Sequence, residues 1–352
     1  MIVQSGSGWE LYYDHWAAQT LGADIALDGF EATLARVRRM EPMGVDSPSD
    51  WTNAPWIEGS LLIDLTSRTI VWAEESEAAY LPRLINAVVE ATWPGWQSIW
   101  SAEGTRGVLR AAGVDPTTIF PEPESVSMSM NDYSWFGPWD ESNPTDVFSA
   151  VLEDGEQLQW HAYGCLEVVA ELGPGGMHRV ALEVRERSYA GDALLCNNQP
   201  RKGPPETGVH IDFRRKVLRW WSLADDDEGL DAFRLLWPGW VIESMGDDYE
   251  WHERLMRCSL RDWREDVQQC RERLRRDIEQ GERPNPAVDM VQALAARGAK
   301  MTVFSHTLNF VPASRGVGST AAMALLDELE QGGALPPARF IDRNGRVKAP
   351  SR

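Results

Sequence analysis

Apolar positions along this chain recur in two alternating periods. Leu27, Phe30, Leu34, Val37 and Met40 stand three or four residues apart, the spacing of one helix face, and Leu81, Leu84, Ile85, Val88 and Val89 repeat it. Between them, Ile63-Asp64-Leu65 through Trp72 alternates as a half-buried hairpin does. The pattern then returns. Ile211-Asp212-Phe213 through Trp220 aligns with that hairpin, with Lys216 for Arg68 and Leu218 for Ile70. A second helical stretch carries Leu230, Phe233, Leu236 and Trp237. Both copies run into one tetrapeptide, Trp93-Pro94-Gly95-Trp96 and Trp237-Pro238-Gly239-Trp240, the second connection being four residues shorter. Pro and Gly end each helix there, which predicts short strands at Trp96–Trp100 and Trp240–Ser244. A strand-turn-strand opens each unit, clearest where Phe148–Leu152 and Gln157–His161 flank Asp154-Gly155.

These elements predict an α+β fold: two tandem repeats of hairpin-helix-hairpin-helix-strand at 1–115 and 148–255, an acidic aromatic connector at 116–147, and a helical C-terminal region at 256–352. In that last region Leu260, Trp263, Val267, Cys270, Leu274 and Ile278 form one stripe, and 286–297 and 317–331 read as two more helices. Its Arg-rich run at 271–276 has acids interleaved, which predicts a salt-bridged solvated face, not a nucleic-acid patch. The repeated tryptophans are expected in the core, where each buries a large apolar area. Asp64 and Asp212 are expected to accept backbone N–H bonds in tight turns.

Charge changes the picture more than composition does. The formal net charge is -20, and residues 1–110 hold 15 acids and 7 bases, residues 111–178 hold 12 acids and no Lys or Arg, and residues 179–352 hold 27 of each. The whole surplus lies in the first half. Such a field repels nucleic-acid phosphates and anionic lipid, and attracts a basic protein partner. The start of the chain lacks a basic segment followed by an apolar run, so the cytoplasm is the expected compartment. The four cysteines, at 165, 196, 258 and 270, show no metal or disulfide spacing and are expected as free thiols.

Catalytic motifs are absent from the sequence. There is no phosphate loop, dinucleotide fingerprint, nucleophile elbow or zinc helix, so no cofactor and no metal is expected. Arg315-Gly316-Val317-Gly318-Ser319-Thr320 is the nearest approach to an anion site and reads as a Ser/Thr helix cap. Trp251-His252-Glu253 beside Asp247 and Asp248 is the one acid-base cluster in which an enzyme, a hydrolase or transferase, could be sought. Acid runs such as Glu74-Glu75 and Asp225-Asp226-Asp227-Glu228 are poor glycosidase candidates, because that chemistry needs two carboxylates at a fixed separation.

The connector is the segment that the repeat does not account for. It carries Glu122, Glu124, Asp132, Tyr133, Trp135, Phe136, Trp139, Asp140, Glu141 and Asp146, is stiffened by Pro121, Pro123, Pro138 and Pro144, and has no basic residue. Aromatic anchors among steering carboxylates suit recognition of a basic surface. Asp225, Asp226, Asp227 and Glu228, with Asp247, Asp248 and Glu250, are expected to extend that face.

Tyr12-Tyr13-Asp14-His15-Trp16, the Ile-Asp strand and the doubled Trp-Pro-Gly-Trp together resemble a set of bacterial immunity proteins of polymorphic-toxin loci, over about residues 8–250. That resemblance implies stoichiometric neutralisation of a cognate toxin domain, often a basic one, in the cytoplasm. Two other roles stay open: an enzyme working near His252, and a scaffold subunit assembling through its tail, for which deletion from 256 onward leaves the repeats folded.

Overall fold

The structure, a computed structural model, describes residues 1–6, 8–45, 57–74, 80–120, 146–162, 166–189, 204–224, 233, 235–300, 302–303, 308–341 and 345–348. It is mixed α and β. Ile2–Ser5 (β1) and Gly8–Tyr13 (β2) form the first hairpin, followed by the helix Leu21–Val37 (α1) and an edge strand Glu41–Val45 (β3). Gly59–Asp64 (β4) and Thr69–Glu74 (β5) make the second hairpin, and Pro82–Thr92 (α2) leads to Gln97–Trp100 (β6) and the helix Gly104–Ala111 (α3). The six strands lie in the order β3-β2-β1-β4-β5-β6, with β1 parallel to β4 and β5 parallel to β6.

A second sheet contains Asp146–Val151 (β7), Gln157–Ala162 (β8), Thr207–Asp212 (β9), Val217–Ser222 (β10) and Val241–Ser244 (β11) in the order β11-β10-β9-β7-β8. Leu166–Tyr189 (α4) joins its two hairpins, and Tyr249–Met256 (α5) follows β11. Here β7 is parallel to β9 and β10 to β11, and each hairpin is antiparallel. The strand β3 has no prediction behind it; it pairs with the outer side of β2 across a register shift between Leu11 and Tyr12.

Alternation along the strands gives the first sheet two apolar faces. Val3, Leu61, Ile63, Ile70, Trp72 and Trp100 pack with α1 and α2 in the main core. Ile2, Leu62, Val71 and Ile99 face Val108 and Leu109 of α3 in a smaller cluster. Trp93 and Trp237 are buried in the main core, and Trp96 and Trp240 pack half-buried against it. Both of these buried indoles also find an acceptor, Trp93 Nε1 donating to Ile25 O and Trp237 Nε1 to Ala170 O, both at 2.9 Å. Asp64 accepts from the backbone of Thr66 and Ser67 and from Ser67 Oγ, and Asp212 accepts from Arg215 N, as turn carboxylates do.

The helices α1 and α4 each break at a glycine. Gly29 in α1 has φ 73° and ψ 175°, and Gly173 in α4 has φ 64° and ψ 174°, conformations that L side chains resist. The periodic apolar spacing of α1 therefore spans two short helices, not one straight one.

Three helices, Trp263–Gln280 (α6), Pro286–Ala296 (α7) and Ser319–Gly332 (α8), follow, with a two-stranded ribbon of Phe340–Ile341 (β12) and Val347–Lys348 (β13) that the helical expectation lacks. On α6, Arg275 pairs with Glu279 and Arg273 with Asp277 one turn on, as interleaved acids allow, but Asp277 is buried and Arg271 reaches across to Asp327 and Glu330 of α8, so the run is in part a helix-helix contact and not only a solvated face. The C-terminal region is not set apart from the first sheet. Val267, Cys270 and Leu274 of α6 and Ala322, Leu326 and Leu329 of α8 belong to the same core as α1 and α2. Arg315 Nε meets Asp24 at 3.0 Å, its Nη1 meets Asp277 at 3.4 Å, and Arg36 bonds both Asp24 (2.9 Å) and Val311 O (2.8 Å). All four side chains are buried, so each charge depends on its partners.

The cap expected at 315–320 takes a different form. Gly318, not a Ser or Thr side chain, caps α8; its N–H donates to Leu27 O at 2.7 Å, and a Cβ there would stand 2.8 Å from Ala26 O. The segment is a docking contact on α1 and not an anion site. Among the described residues no helix is long and apolar enough to cross a membrane. Cys258 and Cys270 are free thiols, and Cys165 and Cys196 lie outside the described residues.

Candidate functional site

Of the acidic and aromatic residues nominated for partner binding, Glu122, Glu124, Asp132, Tyr133, Trp135, Trp139, Asp140, Glu141 and Asp225, Asp226, Asp227 and Glu228 lie outside the described residues. Asp247 and Asp248 are described, and both are interior, at 2% and 1% exposure. Their place on an exposed acidic strip is therefore corrected. Asp247 Oδ2 accepts Arg83 N at 2.8 Å, its Oδ1 lies 3.3 Å from Arg83 Nε, and its carbonyl accepts a further guanidinium N–H. Glu250 completes the set, 2.7 Å from Arg83 Nη1. Asp248 caps α5 by accepting Trp251 N at 3.0 Å. Burial pushes both aspartates above the usual carboxylate range, and the Arg83 charge opposes that rise.

His252 turns to a different set of partners. Its Nε2 lies 2.6 Å from Ser149 Oγ, which lies 2.8 Å from His210 Nδ1, and Trp221 Nε1 donates to His252 Nδ1 at 3.1 Å. Because an indole only donates, Nδ1 of His252 is the acceptor and its proton sits on Nε2. Ser149 then accepts from His252 and donates to His210, so one directed chain runs Trp221, His252, Ser149, His210. Burial lowers the His210 pKa to about 4 and that of His252 to about 3, so both imidazoles are neutral near pH 7. Gly208 makes the room, since a Cβ there would stand 2.1 Å from Trp221 Nε1. The position is informative by comparison: β1 sets Ile2 against Leu62, while β7 sets Ser149 against His210. An apolar layer under α3 is thus a polar one under α5.

This Ser-His-His constellation escaped sequence inspection because its members lie 61 and 103 residues apart and share no motif. A nucleophile-base pair needs a substrate within hydrogen-bond reach. Ser149 and His252 are fully buried, so the chain of hydrogen bonds acts as a satisfied core network.

An open concavity lies instead beside β2 and the turn that follows it. It has a volume of about 240 Å³ and is lined by Tyr12, Tyr13, Asp14, His15, Trp16 and Glu58, among others. Tyr13 Oη and His15 Nδ1 are 3.0 Å apart, and His15 meets Trp16 edge-on with ring centroids 4.9 Å apart. Asp14 Oδ1 accepts Trp16 N at 2.9 Å and its Oδ2 accepts Val311 N at 2.7 Å, which fixes the turn against the C-terminal region. Burial, then the charges of Asp14, Glu58 and Glu41, raises the Tyr13 pKa. The sequence singles out this pentapeptide only as part of a resemblance; its lining role depends on Glu58 arriving from the start of β4.

No group of three or more His, Cys, Asp or Glu among the described residues is arranged to hold a metal ion. No family model matches this chain, and neither the curated proteins nor the solved structures yield a significant match.

Proposed function

We propose that this chain is an immunity-type binding protein that neutralises a basic toxin domain by stoichiometric binding, built on two copies of one α+β unit. The observation that carries the binding role is the placement of charge: all of the net -20 resides in residues 1–178. A surplus concentrated in this way steers and orients a basic partner, and gives no comparable advantage for solubility over a dispersed one. The duplicated platform is supported by the shared strand order of the two sheets, the matched glycine breaks in α1 and α4, and left-handed Arg68 (φ 53°) and Lys216 (φ 54°) in the corresponding turns. The enzymatic alternative near His252 loses support from the burial of that imidazole and from its separation from Asp247 and Asp248 in the hydrogen-bond pattern. Co-expression with the toxin domain encoded beside its gene tests the proposal: growth is restored and the two proteins co-purify, whereas unrelieved toxicity refutes it.

Assembly through the tail is a second role, favoured by one observation. On α7, Val288, Met290 and Leu294 are exposed at 40%, 45% and 36%, and only Ala287 is buried. Sedimentation separates the two cases: if α7 mediates assembly, Leu294→Glu reduces the mass in solution, and an unchanged monomer mass in both chains excludes it.

A further inference from the structure

The concavity beside β2 combines aromatic walls with two carboxylates, of which Glu58 is exposed and outside any ion pair among the described residues. Tyr12, Tyr13, His15 and Trp16 supply the rings, and the buried Asp14 and exposed Glu58 supply the charge. Among the described residues no Lys or Arg lines it; Met1 does, and burial lowers the pKa of its amino group to about 5, so that group carries little charge near pH 7. Asp14 is held by two backbone N–H groups, which fix its position, and the Met1 amino group and Arg283 lie within its field. Glu58 makes no ion pair with any described residue. The guanidinium groups nearby are committed elsewhere: Arg38 to both carboxylate oxygens of Glu10, and Arg283 to Trp16 O, Thr20 Oγ1 and Gln19 Oε1.

Size narrows the ligand. Sites for drug-sized molecules and cofactors occupy roughly 300–1,000 Å³. At about 240 Å³ this concavity suits one long side chain. Of the two basic side chains, guanidinium is planar, stacks on aromatic rings, and sheds water more readily than ammonium. We propose that the concavity is an anchor pocket for a single arginine side chain, projected by the basic partner; the source of that arginine rests on the binding role proposed above. The rings pack against the guanidinium faces and the aliphatic stem, and Glu58 and Asp14 supply the opposing charge.

The test uses the full chain and Nα-acetyl-L-arginine methylamide, followed by the indole N–H resonance of Trp16, assigned by its loss in Trp16→Phe. Saturable binding is expected, with the isosteric uncharged citrulline analogue bound about tenfold or more weakly, as expected for a charge-dependent anchor. Glu58→Gln weakens arginine binding about threefold to tenfold and leaves thermal unfolding unchanged, since an exposed side chain contributes little to stability. Citrulline binding as tight as arginine, or no saturation, overturns the pocket. A basic partner that binds the intact protein tightly while the arginine probe does not saturate overturns the pocket and leaves the binding role standing. Saturation by the probe without any basic protein partner supports the pocket and refutes the binding role.

Discussion

At His252 one imidazole has both nitrogens assigned by its neighbours, Trp221 donating to Nδ1 and Ser149 accepting from Nε2. Protonation would put a second N–H against the indole donor. Its folded pKa of about 3 lies below the ordinary 6.5, so the unfolded chain takes up protons first as pH falls. Stability from this group is complete above about pH 6.5 and is lost as pH falls toward 3. His210 acts in the same direction, and His161, Asp212 and Arg219 set the local field. Glu74 acts in the opposite direction: burial raises its carboxyl to about 7, so protonation favours the folded chain. A paired variant isolates the imidazole from these carboxyls. His252→Gln retains an acceptor and a donor but does not titrate. In urea unfolding, the stability advantage of the native chain over this variant should shrink by about 1.4 kcal/mol per pH unit below pH 6. A constant difference from pH 7 to 5 contradicts the assignment.

Among the elements, the hairpins, the α2 helix and the strands after each Trp-Pro-Gly-Trp were legible because alternation, helical spacing and a Pro-Gly stop are local signals. The helix expected before the second Trp-Pro-Gly-Trp is only partly within the described residues, at Phe233, Leu235 and Leu236. The break at Gly29 was illegible, since the apolar spacing continues across it. The joints between elements were illegible for another reason: they pair residues remote in sequence. Arg83 at the start of α2 reaches Asp247 in the turn before α5, 164 residues on. Removing one member of a buried ion pair strands the other, at a cost of about 3–5 kcal/mol. Arg83→Met should lower unfolding stability by that amount, and adding Asp247→Leu should recover part of it. A loss below about 1 kcal/mol for the single variant would show that the joint is not needed.

For the whole molecule, the sequence exposes a change of character near residue 255, and the structure gives it a different consequence. The region that looks like an appended tail covers α1 and α2 and neutralises Asp24 through Arg315. Deletion from 256 onward therefore uncovers a broad apolar face, takes Arg315 away from Asp24 and removes the Val311 carbonyl that Arg36 bonds, leaving the buried Arg36–Asp24 pair without its other partners. That shortened chain should lose cooperative urea unfolding and its near-ultraviolet tryptophan signal; retention of both contradicts a shared core. Long-range charge, by contrast, was legible from the sequence, because counting needs no geometry. Its chemical use was less so: residues 121–145 of the connector lie outside the described residues, and an open aromatic-acidic concavity lies at β2 instead. In the proposed function the acidic first half recognises a basic protein domain. Titration calorimetry with the basic toxin domain that the proposal requires, sought in the product of the neighbouring gene, decides it. A one-to-one complex whose affinity falls steeply from low to physiological salt is the predicted result, and absence of binding at low salt contradicts it.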